Sequence, residues 1–397
     1  MGTGFGASVK SASRNAPLDS VRGLAAVGVF VFHASNRIGE TYGTPYRFLG
    51  HLDVGVRVFF ALSGYFIYRP FVRAHFRSGR GLDLIEYSWK RFWRIYPAYW
   101  LALAFAVVVG YATIEGMSGV WKHGLLVQDY FEDEGGTGIR ESWTLVVEVT
   151  LYVLMPVFAF GVRLLGRAVG RVRAEFVGVG AVLVGAVISL PAYVDARGWF
   201  REPGLGRVLE PALIAVGGGM MLAVIEAVDW SPRARGRIER LAAPAGRWWV
   251  AAALVLALLV GWLADGFETP ADHNASTAGW IHYQWGHATI SLLLVIPLVL
   301  APTGEGALRR FLSHRALVFL GVISFSFYLW HIRVLTAVRH LGGFEHGLVV
   351  VIVAGAAALA GALFVGWVGQ RCIEQPCARA AAVDLRRRSR ESRRVDV

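Results

Sequence analysis

The chain has 397 residues, of which 55% are hydrophobic and only 17% are charged. Because soluble domains carry about 25% charged residues, this composition excludes an ordinary water-solvated globular protein. The net charge of +12 suggests nucleic-acid binding, but the basic residues lie in short clusters between apolar segments, as membrane topology requires, so we expect no nucleic-acid partner.

Ten apolar segments follow one another along the chain, each close to the roughly 20 residues that a membrane helix needs. They span 21–38, 52–72, 95–114, 143–163, 175–192, 207–228, 247–264, 286–302, 316–337 and 347–370. This pattern predicts an all-α, polytopic bundle of about ten transmembrane helices in a lipid bilayer.

Basic residues are concentrated in every second segment between the apolar runs. The basic segments are 69–94, 163–173, 233–247, 309–315 and the tail after Arg371, whereas the segment 115–140 is acidic. Since positively charged loops stay in the cytoplasm, this alternation predicts cytoplasmic N- and C-termini. We therefore expect a multi-pass protein of the inner cell membrane, and the Ala, Gly, Val and Arg bias suggests a high-GC bacterium.

The chain divides into three parts by composition. We predict a disordered cytoplasmic N-terminus over 1–16, a transmembrane domain over 17–376 and a basic, disordered cytoplasmic tail over 377–397 near anionic lipid. The polar N-terminus predicts no cleavable signal peptide. The two cysteines, Cys372 and Cys377, are too few for a disulfide framework or a zinc site.

The first apolar segment carries charged groups, which are costly inside a membrane and therefore indicate function. Arg22 and His33 are eleven residues apart, with Asp19 one turn before Arg22. Eleven residues make about three helical turns, so both side chains share one face about 16 Å apart along the axis. That face offers a cation for an anionic ligand and a titratable imidazole. Alternatively, Arg22 reaches the lipid headgroups and His33 only packs.

The next two segments add three arginines. Arg57 lies toward the predicted outer leaflet and needs a partner, while Ser63 and Gly64 permit a close approach of helices. Arg91 and Arg94 share a helical face at the predicted cytoplasmic end. Such a pair suits the phosphates of coenzyme A, although ordinary positive-inside charge explains it equally well.

A carboxylate, Glu148, lies within the fourth apolar segment, between Trp143 and Tyr152. Glu148 and Tyr152 share a face, one turn apart. The carboxylate could orient an imidazole or polarise a hydroxyl acceptor. A structural salt bridge to Arg57 or Arg22 is the alternative.

The ninth segment contains Ser324, Tyr328 and His331 at i, i+4 and i+7, which places them in one polar stripe. Such a stripe must face the bundle interior or a hydrated cavity. Helix packing alone is the alternative interpretation.

Six motifs, in order across residues 17–376, resemble those of acyltransferase family 3, whose integral membrane proteins O-acylate bacterial polysaccharides, antibiotic sugars or macrolides. The motifs are LDSVRGLAA running on to His33, GVRVFFALSGYFI, KRFWRIYPAYW, SWTLVVEVTLYVLMP, SFSFYLWH and IEQP. The resemblance implies functional roles for Arg22, His33, Arg91, Arg94 and Glu148, and it places Tyr328 and His331 in the family's ninth-helix signature.

The chain departs from the family pattern at two positions. Ser20 stands where the family often has Gly, and Arg57 stands where it often has an acidic or small residue. The second departure could change the partner of Glu148 or the acceptor pocket. Some members carry an extracellular hydrolase-like domain after the last helix, and we do not expect one here.

The resemblance implies a membrane O-acyltransferase that takes an acyl group, most simply acetyl, from cytoplasmic acyl-CoA as donor substrate, with no permanently bound cofactor and no metal. The donor would bind Arg22, Arg91 and Arg94. His33 would act as general base with Glu148 orienting it, or would itself carry the acyl group.

The acceptor would be a hydroxyl of a sugar in a glycan, a lipid-linked sugar or glycolipid, or a secondary metabolite. The candidate substrate contacts are Asp19, Arg57, Ser63, Trp143, Tyr152, Tyr328 and His331.

A transporter or permease for a small polar or acylated substrate is the alternative, because it too would place charges in mid-membrane. Against it, the two halves of the sequence lack a matching pair of Gly- or Pro-broken helices. A membrane scaffold would leave the intramembrane charges unexplained.

Overall fold

The computed structural model describes residues 15–38, 47–77, 82–131, 137–195, 205–242, 251–256, 277–301, 307–342 and 348–395. Over these ranges the chain is helical and contains no strand, which confirms the predicted all-α class. The helices in chain order are α1 (Ala16–Ile38), α2 (Val54–Arg77), α3 (Leu84–Val108), α4 (Gly116–Gly124), α5 (Trp143–Val169), α6 (Arg171–Asp195), α7 (Leu205–Ala227), α8 (Pro232–Ala242), α9 (Thr277–Leu300), α10 (Ala307–Leu312), α11 (Arg315–Gly342), α12 (Leu348–Gly369) and α13 (Gln375–Val395).

Each predicted membrane span except 247–264 coincides with one long helix; of that span the structure describes only 251–256, which is helical. Six helices in the described ranges are long and apolar enough to cross a membrane. Helix α2 carries Arg57, Arg69, Arg73 and Arg77, which makes it less apolar than those six. The count of ten spans and the cytoplasmic termini stay predictions.

Two close helix pairs organise the bundle, α1 with α11 and α2 with α7. Both crossings use glycine. A Cβ atom at Gly321 of α11 would lie 1.9 Å from the carbonyl oxygen of Asp19, and one at Gly64 would lie 2.1 Å from that of Val216 in α7. The helix axes can approach this closely only because glycine has no side chain. The predicted close approach at Ser63 and Gly64 is confirmed.

The tail after the last apolar segment is helical over Gln375–Val395, so the prediction of a disordered tail was wrong. Alanine and arginine favour helix, Pro376 is tolerated in the first turn, and Asp384 forms an i,i+4 ion pair with Arg388 at 2.9 Å. Helix α13 packs on α3, where the Arg388 guanidinium lies 5.0 Å from the Trp89 ring centroid. The predicted disordered N-terminus lies outside the described residues, apart from 15 and 16, where α1 begins.

Candidate active site

Helix α1 runs parallel to α11, and this pairing places the first two predicted site residues. Arg22 donates a hydrogen bond to the Gly321 carbonyl at 2.7 Å. Further along, the His33 and His331 rings lie 5.3 Å apart, centroid to centroid. Both residues therefore contact the same neighbouring helix, as their spacing on one face predicts. They are separated by about 16 Å along α1.

Charged side chains from four parts of the chain meet near the start of α1. We call this group the arginine cluster: Asp19, Arg22, Arg94, Glu148 and Glu374. Arg22 lies 3.4 Å from Asp19 and also interacts electrostatically with Arg94, Glu148 and Glu374. Arg94 interacts with the same three carboxylates. The cluster therefore balances two guanidinium groups with three carboxyl groups.

The arginine cluster is only partly covered by the rest of the protein. The Arg94 side chain is exposed, and the other four members are half-buried. A side chain that is both exposed and surrounded by charges from other helices lines a cleft between those helices. An unpaired, unhydrated charge would cost several kcal/mol in a bundle, and the opposite charges of the cluster offset part of that cost.

Tyr152 connects the cluster to Arg91. The Tyr152 hydroxyl donates a hydrogen bond to the Glu148 carboxylate, and the Arg91 guanidinium lies 4.9 Å from the Tyr152 ring centroid. A cation over an aromatic face is held by the ring quadrupole. Arg91 thus lies beside the cluster, one turn before Arg94, so the structure brings Arg22, Arg91, Arg94, Glu148 and Tyr152 together.

The second part of the site is the histidine pair, His33 and His331. The His331 ring is 1% exposed and stacks on Phe327 at 6.1 Å with an interplanar angle of 12°. Its Nδ1 lies 2.6 Å from the Tyr328 carbonyl oxygen, to which it must donate. In the neutral ring Nε2 is then the basic nitrogen. The structure places Glu148 in the arginine cluster and His33 beside His331. The predicted pairing of His33 with Glu148 stays a prediction.

A buried ion pair lies close to the histidine pair. Arg333 lies 3.2 Å from Glu141, and their side chains are 8% and 7% exposed. The Tyr328 hydroxyl donates to the Glu141 carbonyl at 3.1 Å and accepts from Thr144 at 3.0 Å. Hydrogen bonds therefore hold the polar stripe of α11 against the start of α5.

The remaining predicted substrate contacts lie on α2 and α5, away from the arginine cluster. Arg57 donates twice to the Gln284 side-chain oxygen, at 3.1 and 2.6 Å, so the partner it needs is Gln284. The Trp143 ring lies 5.8 Å from that of Phe60, and Ser63 is half-buried at the α2–α7 crossing.

The sequence interpretation missed three residues, Glu374, Glu141 and Arg333. Glu374 belongs to the IEQP motif and accepts hydrogen bonds from the backbone and side chain of Ser326 at 3.2 and 2.5 Å. Arg333 follows His331 by two residues inside an apolar segment, and Glu141 precedes Trp143. For all three residues, the available signal was an ionisable side chain at the end of an apolar motif.

Comparison with known proteins agrees with these features. A family model for an acyltransferase domain of acyltransferase family 3 matches residues 15–368. The O-acetyltransferase OatA of Staphylococcus aureus strain NCTC 8325 is 25% identical over 344 residues, covering 81% of this chain and 51% of OatA. A putative O-acetyltransferase of strain COL is 23% identical over 343 residues, with the same coverage.

The chain spans about half the length of these curated relatives. No solved structure matches it. The family match covers most of the chain, including helices α1, α3, α5 and α11, and it ends before Glu374. The chain therefore belongs to acyltransferase family 3.

Proposed function

We propose that the protein transfers an acetyl group from acetyl-CoA, bound on the predicted cytoplasmic side, to a hydroxyl of a sugar in a glycan, glycolipid or secondary metabolite. One observation supports this most: a partly exposed arginine cluster and a histidine pair lie at two levels of the same α1–α11 interface, about 16 Å apart. Acyl-CoA likewise separates its phosphates from its thioester by a long flexible arm. Both relatives are named as O-acetyltransferases, which favours acetyl.

The donor end of the site is the arginine cluster with Arg91. Guanidinium groups bind phosphate through paired, charge-assisted hydrogen bonds. Before the donor binds, Asp19, Glu148 and Glu374 balance the charges of Arg22 and Arg94. Because Arg94 is exposed in the cleft, it can exchange a carboxylate for a phosphate without breaking a buried pair.

The transfer itself takes place at the histidine pair. His33 accepts the proton of the acceptor hydroxyl as its oxygen attacks the thioester carbonyl carbon. The new C–O bond forms, the C–S bond breaks, and coenzyme A leaves as a thiolate that takes the proton from the imidazolium. His331 contacts the His33 ring and can share that proton.

A covalent route uses the same residues in two steps. A neutral His33 nitrogen attacks the thioester carbonyl carbon, the C–S bond breaks, and the leaving thiolate takes the ring N–H proton. The acceptor oxygen then attacks the acyl-imidazole, the N–acyl bond breaks, and the hydroxyl proton returns to the ring. This route predicts one equivalent of thiol released per protein without any acceptor. Direct transfer predicts no such release.

The test uses the full-length protein in lipid nanodiscs with acetyl-CoA and sugar acceptors, followed by thiol release and by mass spectrometry of the products. We expect His33→Ala to abolish acetyl transfer, while the purified variant elutes in size-exclusion chromatography as the wild type does. His340→Ala, which removes an exposed histidine from the end of α11, is the matched control and should retain activity. Near-normal transfer by His33→Ala would refute the role of His33, and substrate flux without thiol release would favour transport.

Mass spectrometry of glycans and lipids from cells with and without the protein would identify the natural acceptor. A single product that differs by the mass of one acyl group would give both the acyl chain and the acceptor.

A further inference from the structure

A second group of polar side chains lies at the start of α2 and in the first half of α9, and the proposed reaction does not use it. It consists of Asp53, Arg57, Tyr283, Gln284 and His287, which we call the α2–α9 cluster. Arg57, Gln284 and His287 are 6%, 4% and 1% exposed. Buried ionisable groups in a membrane bundle mark sites of function unless they are fully satisfied by one another.

Most of the polar atoms in the α2–α9 cluster have partners. The Tyr283 hydroxyl donates to Oδ2 of Asp53, and Arg57 donates twice to the Gln284 side-chain oxygen. The Tyr283 and His287 rings meet edge to face, with centroids 4.1 Å apart. These contacts hold the side chains in place.

Three buried atoms in the cluster lack a hydrogen bond within the described part of the chain: Oδ1 of Asp53 and both ring nitrogens of His287. Two of them, Oδ1 of Asp53 and Nε2 of His287, are close to each other. They lie 3.9 Å apart, which is too far for a direct hydrogen bond. A buried polar atom without a partner is destabilising, so such atoms in native proteins usually meet a ligand or water. These two atoms therefore point to a group that would lie between them.

The chemistry of the two atoms selects that group. An ionised carboxylate oxygen only accepts a hydrogen bond, and Nε2 of His287 donates one in the tautomer that carries the ring proton there. A hydroxyl both donates and accepts, so it satisfies both at once. The phosphates of the donor would be repelled by the Asp53 carboxylate, and a thioester has no hydrogen to donate.

Helix α2 places the cluster next to the histidine pair. The Phe60 ring lies 6.0 Å from the Arg57 guanidinium and 5.8 Å from the Trp143 ring. The preceding residue, Phe59, lies 6.0 Å from Tyr328, whose ring is 5.4 Å from that of His331. Aromatic side chains of α2 therefore connect the cluster to the histidine pair through successive ring contacts.

We propose that Asp53 and His287 bind a hydroxyl group of the acceptor sugar, with Arg57 and Gln284 lining the same subsite. The assignment of the ligand as the acceptor rests on the proposed function, whereas the hydroxyl chemistry rests on the two atoms alone.

The test measures binding of methyl glucoside and methyl N-acetylglucosaminide to the full-length protein in nanodiscs, without acyl-CoA, by saturation-transfer NMR. We expect Asp53→Asn and His287→Phe to weaken binding of at least one probe by about 10-fold or more, since a hydrogen bond to a charged group contributes about 1.5–3 kcal/mol. His287→Gln should bind more tightly than His287→Phe, because the glutamine amide can still donate from the position of Nε2.

Trp285→Phe is the matched control, because Trp285 lies on the same turn of α9 but is 39% exposed. It should bind the probes as the wild type does. Acetyl-CoA affinity of each variant reports whether its bundle remains folded.

Equal probe binding by wild type, Asp53→Asn and His287→Phe, or no binding of either probe by the wild type, would overturn the subsite. The subsite stands if the wild type binds the probes through Asp53 and His287 but transfers no acetyl group; the proposed function then fails alone. Acetyl transfer together with unaltered probe binding in both variants would sink the subsite and leave the proposed function intact.

Discussion

The buried ion pair between Arg333 and Glu141 offers the most direct test of how the histidine pair is held. Replacing Glu141 with Gln keeps the size of the side chain but leaves the Arg333 guanidinium, 8% exposed, without its carboxylate at 3.2 Å. Removing one partner of a buried pair costs about 3–5 kcal/mol, because the remaining charge stays desolvated.

This free energy converts into a measurable melting shift. With about 2.1 cal/mol/K of unfolding entropy per residue, 397 residues give about 0.8 kcal/mol/K. A loss of 3–5 kcal/mol then lowers the melting temperature by about 4–6 °C. Thermal unfolding followed by size-exclusion chromatography in detergent measures this shift.

A double-mutant cycle isolates the pair. Arg333→Met alone should also destabilise the protein, because it leaves Glu141 buried without a cation. Glu141→Gln combined with Arg333→Met should recover much of the loss, since neither charge then remains buried. If the double variant loses as much stability as the two single variants added together, the pair contributes no coupling and the reasoning is refuted.

Three further outcomes test other parts of the site. Gly321→Leu should prevent assembly of a monodisperse protein, because its Cβ would lie 1.9 Å from an α1 carbonyl oxygen. Gly161→Ala is the control and should elute normally, since a Cβ there meets no atom within 4 Å. A normal elution profile for Gly321→Leu would contradict the close α1–α11 crossing. Arg94→Lys should raise the KM for acyl-CoA by about 10-fold, since lysine cannot bind phosphate with two parallel hydrogen bonds. Arg310→Lys on the exposed surface is the control and should leave the KM unchanged. Equal KM values in the two variants would argue against phosphate binding by Arg94. His331→Phe should lower kcat by about 100-fold or more in acetyl-transfer assays, with little change in acyl-CoA binding. An unaltered kcat would show that proton transfer does not need the His331 imidazole.

The sequence alone determined the helical class and the positions of most long helices, because apolar runs and helical periodicity are local properties. It also determined that Arg22 and His33 share a face of α1, since eleven residues close about three turns whatever surrounds them. The tail shows the limit of composition: charge predicted disorder, but helix-forming residues and contacts with α3 give a helix over Gln375–Val395.

Only the tertiary structure decided which helix faces meet. It brought His33 to His331, placed Glu148 with Arg22 and Arg94, and paired Arg57 with Gln284 across 227 residues of sequence. The physical reason is that periodicity gives the direction of a side chain around its own helix, whereas its partner depends on packing. Close crossings such as that at Gly321 select the neighbouring helix, and no local pattern in the sequence specifies that choice.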